Sequence, residues 1–299
     1  MNFAPFAFLA AFFALSLSWF GYVLVPQVQL GRALPETNMV NSAELYPQGP
    51  PGIARQGEQI YRAEGCFYCH SQQVRQTTTV TEVVLSEIGT NAERVTKAFN
   101  ANSPPSMQVN AAALAMGLPR VVMPGTNVAT AENLAKALRK AGAKAAIQFV
   151  PVGPDISRGW GLRRSVAADF LFDATAMPGS QRIGPDLANI GARQTDANWQ
   201  YVHLYAPRAE VADSIMPRYT FLFEQRPIPF GGKPSPDALQ FPKDAAAAPP
   251  AGFEVLPKPG AKALVAYLLN RRANTPLFEA PLTVAGAPPA SPSTNAPAK

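Results

Sequence analysis

Two cysteines and two histidines are all that 299 residues contain, and both scarcities narrow the chemistry. Cysteines three positions apart cannot build a disulfide framework, which needs more of them at wider spacing. Charge is also thin. Asp, Glu, Lys and Arg make up 15% of the chain, and the net charge of +6 comes from scattered basic residues rather than a run. A nucleic-acid partner is therefore not expected, because that footprint is a clustered basic face. From Asn2 to Gly31 there is no charged side chain at all. Proline, by contrast, is abundant: 31 residues, pointing to long irregular connections rather than a regular array of helices or strands.

The uncharged stretch reads as a helix crossing a lipid bilayer. Residues 4–25 would reach roughly 33 Å, enough for a hydrocarbon core about 30 Å thick. Pro26 is expected to end it, and Trp19 and Tyr22 suit the membrane interface. A cleaved signal peptide would carry a basic start and a small-x-small cleavage site, and neither is present. Residues 1–26 are accordingly read as a retained anchor and 27–52 as a linker. Flanking charge does not orient the anchor, since no Lys or Arg precedes it.

Farther on, a helix is expected from about Ala54 to Ala63, and another from about Gly260 to Ala273 with Leu264, Tyr267 and Leu268 on one face. Gly57 and Tyr61 would let the first cross the last closely. Residues 157–223 read as mixed helix and loop, and 225–259 as a Pro-rich connection with little periodicity. The Ala-, Pro-, Ser- and Thr-rich stretch 280–299 reads as a disordered tail.

The chemistry concentrates in Cys66-Phe67-Tyr68-Cys69-His70. This spacing is that of covalent heme attachment: two thiols add across the vinyl groups of one heme c, and the next residue, His70, ligates the iron. A thioredoxin-like dithiol would want a βαβ setting, whereas here a helix leads in. A zinc site would have to recruit His203 to Cys66, Cys69 and His70, far outside usual finger spacing. The sixth iron ligand is sought among Met107, Met116, Met123, Met177 and Met216. Met216, in Ser214-Ile215-Met216-Pro217 after a helix, is the preferred ligand, with Met177 and His203 left open. Gly184-Pro185-Asp186-Leu187 resembles the segment that passes the proximal side of the heme in single-heme c-type cytochromes. By that resemblance the Pro185 carbonyl accepts the histidine Nδ1–H and Leu187 packs on the heme edge.

The chain resembles the mono-heme subunit (subunit II) of cbb3-type cytochrome c oxidases. The resemblance rests on Gln59–Gly65, Cys66–His70 and Ser71-Gln72-Gln73-Val74-Arg75. It resumes at Ser165–Ala167, Asp169-Phe170 and Gly179–Leu187, and runs through Trp199, His203-Leu204, Pro207-Arg208, Met216-Pro217 and Tyr219. It implies a single-pass protein of the bacterial cytoplasmic (inner) membrane with its heme domain in the periplasm. The partners it implies are a di-heme cytochrome c subunit as electron donor and a heme–copper catalytic subunit that reduces oxygen. This chain would then be a non-catalytic electron-transfer subunit. It also implies that the loop near Ser165 faces the catalytic subunit, where a divalent ion is a candidate at the interface. The alternatives are the anchored cytochrome of another membrane reductase (nitric oxide reductase type), a free-standing carrier, and a heme-based sensor with a labile sixth position.

Between Arg75 and Ile156 the chain departs from that pattern. From His70 to Met216 is 146 residues; without the 81 residues 76–156 the spacing falls to 65, ordinary for a small c-type domain. Within this segment Thr79–Leu85 reads as a strand, and Asn91 as the cap of a helix to Ala101 with Val95, Ala98 and Phe99 inward. Asn110–Met116 reads as a short helix and Arg120–Met123 as a strand. Thr130 reads as the cap of a helix to Ala141 with Leu134, Ala137 and Leu138 as its stripe, Gly142 closes it, and Ala143–Val150 is a strand. The order βααβαβ resembles the C-terminal domain of bacterial ribosomal protein L7/L12. The expected fold is thus mainly α: one transmembrane helix and a c-type cytochrome domain split over 53–75 and 157–279. That domain would carry an inserted small α+β module.

Overall fold

The computed structural model describes residues 3–31 and 45–282. Helix α1 (Ala4–Trp19) leads into a π-type turn, Phe20–Leu24, and then α2 (Val25–Gly31). Pro26 therefore does not end the helix. In an α-helix its ring would meet the carbonyl four residues back, and its missing N–H would leave that oxygen unpaired. The wide turn ahead of it, in which the Val25 N–H reaches the Phe20 carbonyl, absorbs the misfit. None of the side chains of α1 is buried. Residues 32–44 of the expected linker lie outside the described residues, and 27–31 are helical rather than linker.

Helix α3 (Gly52–Ala63) buries Ala54, Gly57, Glu58 and Tyr61, a stripe of helical period. The chain then passes through the turn that holds the cysteines and enters a three-stranded antiparallel sheet. In sequence order the elements are β1 (Thr78–Glu87), α4 (Ala92–Ala101), α5 (Ala111–Ala115), β2 (Arg120–Thr126), α6 (Val128–Ala141) and β3 (Lys144–Val152). The spatial order is β2-β1-β3. Thr81, Val83 and Leu85 alternate along β1 onto the helix-covered face. Val83 and Leu85 pack with Val95, Phe99, Leu134 and Leu138 in a core of their own.

Asn91 caps α4 by accepting the Arg94 N–H, and Asn110 caps α5. The cap of α6 is Asn127, not Thr130. Its side chain accepts the Thr130 N–H, so the residue expected to cap is the one capped. The buried stripe of α6 is Ala131, Leu134, Ala135 and Leu138, with Ala137 only half-buried, and Gly142 closes the helix in the left-handed conformation.

Four short helices follow: α7 (Pro154–Ser157), α8 (Ile190–Arg193), α9 (Ala197–Tyr205) and α10 (Pro207–Glu210). The Pro-rich stretch 225–259 is more ordered than its composition announces. Strands β4 (Phe223–Pro227) and β5 (Phe253–Pro257) pair antiparallel across it. The buried Glu254 carboxylate accepts from Arg226 and from the Ser235 backbone and hydroxyl, which ties the intervening loop down. Helix α11 (Pro259–Asn270) ends three residues before Ala273. It crosses α3 where Gly57 lies: a Cβ there would overlap the Ala263 carbonyl, so only glycine permits the approach. Beside the crossing, the Tyr61 and Tyr267 rings lie 5.2 Å apart. The second core gathers Tyr61, Val202, Leu204, Leu264 and Leu268. Ala280, expected to open the tail, is instead buried in a third cluster with Tyr46, Val166 and Leu277; 283–299 lie outside the described residues. Helix predominates, with two small sheets.

Candidate functional site

The α3 helix delivers the chain into a tight turn at Cys66–Tyr68, closed by hydrogen bonds from the Cys69 and His70 N–H groups to the Cys66 carbonyl at 3.2 and 3.0 Å. Both thiols are free and half-buried. Burial pushes the Cys66 thiol up to about 12. The turn aims two thiols and one imidazole from five consecutive residues.

The His70 ring is held from the far side of the sequence. Its Nδ1 lies 2.8 Å from the Pro185 carbonyl oxygen. A carbonyl only accepts, so Nδ1 carries the proton and Nε2 keeps its lone pair for a metal. Burial, first among the influences on the ring, lowers its pKa and favours that neutral form. Gly184 packs flat on the imidazole, where any Cβ would overlap ring atoms. The segments run side by side, with Gly184 N–H donating to Cys69 O (2.9 Å) and Leu187 N–H to Ser71 O (2.7 Å).

Cys66, Phe67, Leu187, Met216 and Tyr219 all pack against the second core, together with the buried Met177. Met107, Met116 and Met123 belong to the segment 76–156, where Met123 fills the separate core and Met116 is exposed. His203 stacks on Trp199, ring centroids 4.7 Å apart and nearly parallel, and burial pushes its pKa down to about 4. Its Nδ1 is buried without a hydrogen-bond partner among the described residues. No group of three or more His, Cys, Asp or Glu side chains is placed to hold a metal ion among the described residues. A zinc site drawing His203 to the two cysteines is therefore not assembled.

The residues fit a covalently held heme. Two free thiols share one turn, an imidazole has its Nδ1 committed and its Nε2 free, and thioether and aromatic groups lie in the adjoining apolar cluster. The fit to a divalent ion is poor in this chain alone. Ser165 Oγ accepts the Val74 N–H at 2.9 Å. The cavity of about 270 Å³ beside it is lined by Asp169 and Asp173, and each is paired with an arginine.

Several polar residues that organise the site carried no motif. Asp186 is fully buried and joins the two segments around His70. Arg182 donates to both Asp155 oxygens at 2.6 Å and to the Gln73 carbonyl, and its guanidinium lies over the Trp160 ring. Asp155 also accepts the Arg75 N–H, closing the mouth of the segment between them. Arg163, fully buried, pairs with Asp169 through two hydrogen bonds. Arg182, Asp169 and Asp186 lay within the stretches that carry the family resemblance, but Asp155 and Arg163 had no signal in sequence.

The family model described as cytochrome c oxidase, mono-heme subunit/FixO matches residues 151–228. The match spans 78 of the 299 residues and is a likeness of that stretch to the family. It takes in Pro185, Leu187 and Met216 but not the Cys66–His70 motif. Among the described residues one helix, Ala4–Gln29, is long and apolar enough to cross a membrane. No curated protein matches the chain.

Proposed function

We propose that the chain is the electron-transfer subunit of a cbb3-type terminal oxidase, single-pass in the bacterial inner membrane with its soluble part in the periplasm. One observation carries the reading. The cysteine–histidine motif lies outside the family match, yet His70 donates to Pro185 inside it, so the two build one site.

In this reading Cys66 and Cys69 would hold one heme c through thioethers, and His70 and Met216 would ligate its iron. The bound heme supplies a reversible one-electron couple. The protein's own part is orientation and exclusion. The Pro185 carbonyl fixes the imidazole, Leu187 and Phe67 cover apolar surface, and the Met216 segment is anchored by Tyr219 N–H to Leu204 O at 2.9 Å. Met216 is preferred to Met177 as ligand because it is only half-buried, whereas Met177 is buried in the core. The neighbours are a heme–copper catalytic subunit and a di-heme cytochrome c donor. Within residues 76–156 lies an inserted module with its own core, which serves as a docking or assembly element.

Mild-detergent extraction of the tagged chain from its native membrane tests this. It is expected to bring a heme–copper subunit that consumes oxygen with reduced cytochrome c. Recovery with a nitric oxide-reducing subunit and no oxygen uptake, or as a monomer, decides against it.

A further inference from the structure

The Asp186 side chain has no exposed surface, and every hydrogen bond it accepts comes from the region of His70 or the turn that faces it. One oxygen accepts the Ser71 hydroxyl at 2.6 Å and the Gln73 N–H at 2.7 Å; the other accepts the Ala188 N–H at 2.9 Å. Ser71 follows His70 directly, and Pro185, whose carbonyl holds the His70 ring, precedes Asp186 directly. The carboxylate therefore clips together the two segments on which that hydrogen bond depends. Its nearest cation is Arg182, 3.7 Å away and only 19% exposed, itself fixed by Asp155 and Trp160.

We propose that Asp186 is a positioning residue for His70. It locks the Pro185 carbonyl against Nδ1 and places one negative charge beside the metal site, with Arg182 as its counter-charge. The proposal rests on the heme reading above. A committed Nδ1–H makes the imidazole a more basic ligand, and a buried carboxylate nearby favours the oxidised metal. Both effects lower the reduction potential, and Arg182 works in the opposite sense.

Redox titration of the purified full-length protein in detergent, with Asp186→Asn and Arg182→Gln, separates charge and positioning from mere support of the fold. Asp186→Asn is expected to raise the potential by about 59 mV, a tenfold change in the one-electron equilibrium. That is the scale of one charge acting over roughly 10 Å at an effective dielectric of about 20. Arg182→Gln is expected to shift it downward, and the His70 Nδ1–H should exchange faster in Asp186→Asn. A residue that only stabilised the fold would lower the melting temperature in both variants without opposite shifts. Unchanged potentials, or shifts of the same sign, overturn the proposal. If Asp186→Asn does not assemble, Arg182→Gln decides alone: a potential unchanged or raised refutes it. A wild-type protein without covalent heme would instead refute the function proposed above.

Discussion

Arg163 has five N–H donors and uses all of them. Nε reaches the Thr275 carbonyl at 2.7 Å; the two terminal nitrogens share the Arg164 carbonyl, the Tyr46 hydroxyl and both Asp169 oxygens. Burial alone would raise the Asp169 carboxyl, but the Arg163 hydrogen bonds and charge outweigh it and hold it below the usual range. A depressed folded pKa means that the stabilisation is complete above the ordinary carboxylate pKa of about 3.9. It is lost as pH falls through the lower folded value. Asp169→Asn should cost about 3–5 kcal/mol near neutral pH, since it strands a buried guanidinium. In acid unfolding monitored by circular dichroism, the wild type should lose this advantage below about pH 4; a gap that stays constant down to pH 2 contradicts the linkage. Met216→Ala should abolish the sulfur-to-iron charge-transfer absorbance of the oxidised protein and leave the covalent heme in place. An unchanged spectrum would move the ligand to Met177 or His203. At this scale the cysteine–histidine motif was legible because it is confined to five consecutive residues. Arg163 was not, because its partners Tyr46 and Thr275 lie 117 and 112 positions away, a relation no local pattern records.

The elements were legible where one face is apolar over several turns, and illegible where the pattern is short. Strands β4 and β5 have five residues each and a proline at the end, too few for an alternation to stand out from a Pro-rich background. The crossing of α3 and α11 could be read from Gly57 and Tyr61. Gly57→Val should therefore destabilise by at least 1–3 kcal/mol, because the new atoms meet main chain that cannot move aside. An unchanged melting temperature would mean that the helices do not cross there. The boundary expected at residue 156 needs moving. β1 and β3 close on each other from Thr78 and Val152, whereas Asp155 is buried among Arg75 and Arg182 of the other unit. Replacement of residues 78–152 by a short Gly/Ser linker should leave heme attachment and spectrum unchanged. Extending the deletion through Asp155 should impair both, and heme loss in the shorter deletion would show that the module belongs to the heme site.

On the scale of the whole molecule, the N-terminal helix stands apart from both cores. Phe6, Phe8 and Leu15 are each more than 70% exposed, and α1 buries nothing against the rest of the chain. Such a surface in water would be a severe liability, at about 25 cal/mol for every Å² of apolar area, and a lipid bilayer would relieve it. Close packing against neighbouring helices would use its small residues, such as Ala10, Ala11, Ala14 and Gly21. Anchoring and heme chemistry should therefore separate cleanly. A chain lacking residues 1–31, exported behind a cleavable secretion signal in a host without the other oxidase subunits, should appear in the periplasmic soluble fraction. It should carry covalent heme that survives denaturing electrophoresis, with the absorption spectrum and melting temperature of the full-length protein. In the native host the same truncation should leave the catalytic subunit in the membrane with this chain depleted from it. A truncated chain that still sediments with membranes after a high-salt wash would show that the soluble part binds lipid itself. One that fails to take up heme would show that the anchor, beyond tethering, delivers the chain to the attachment machinery.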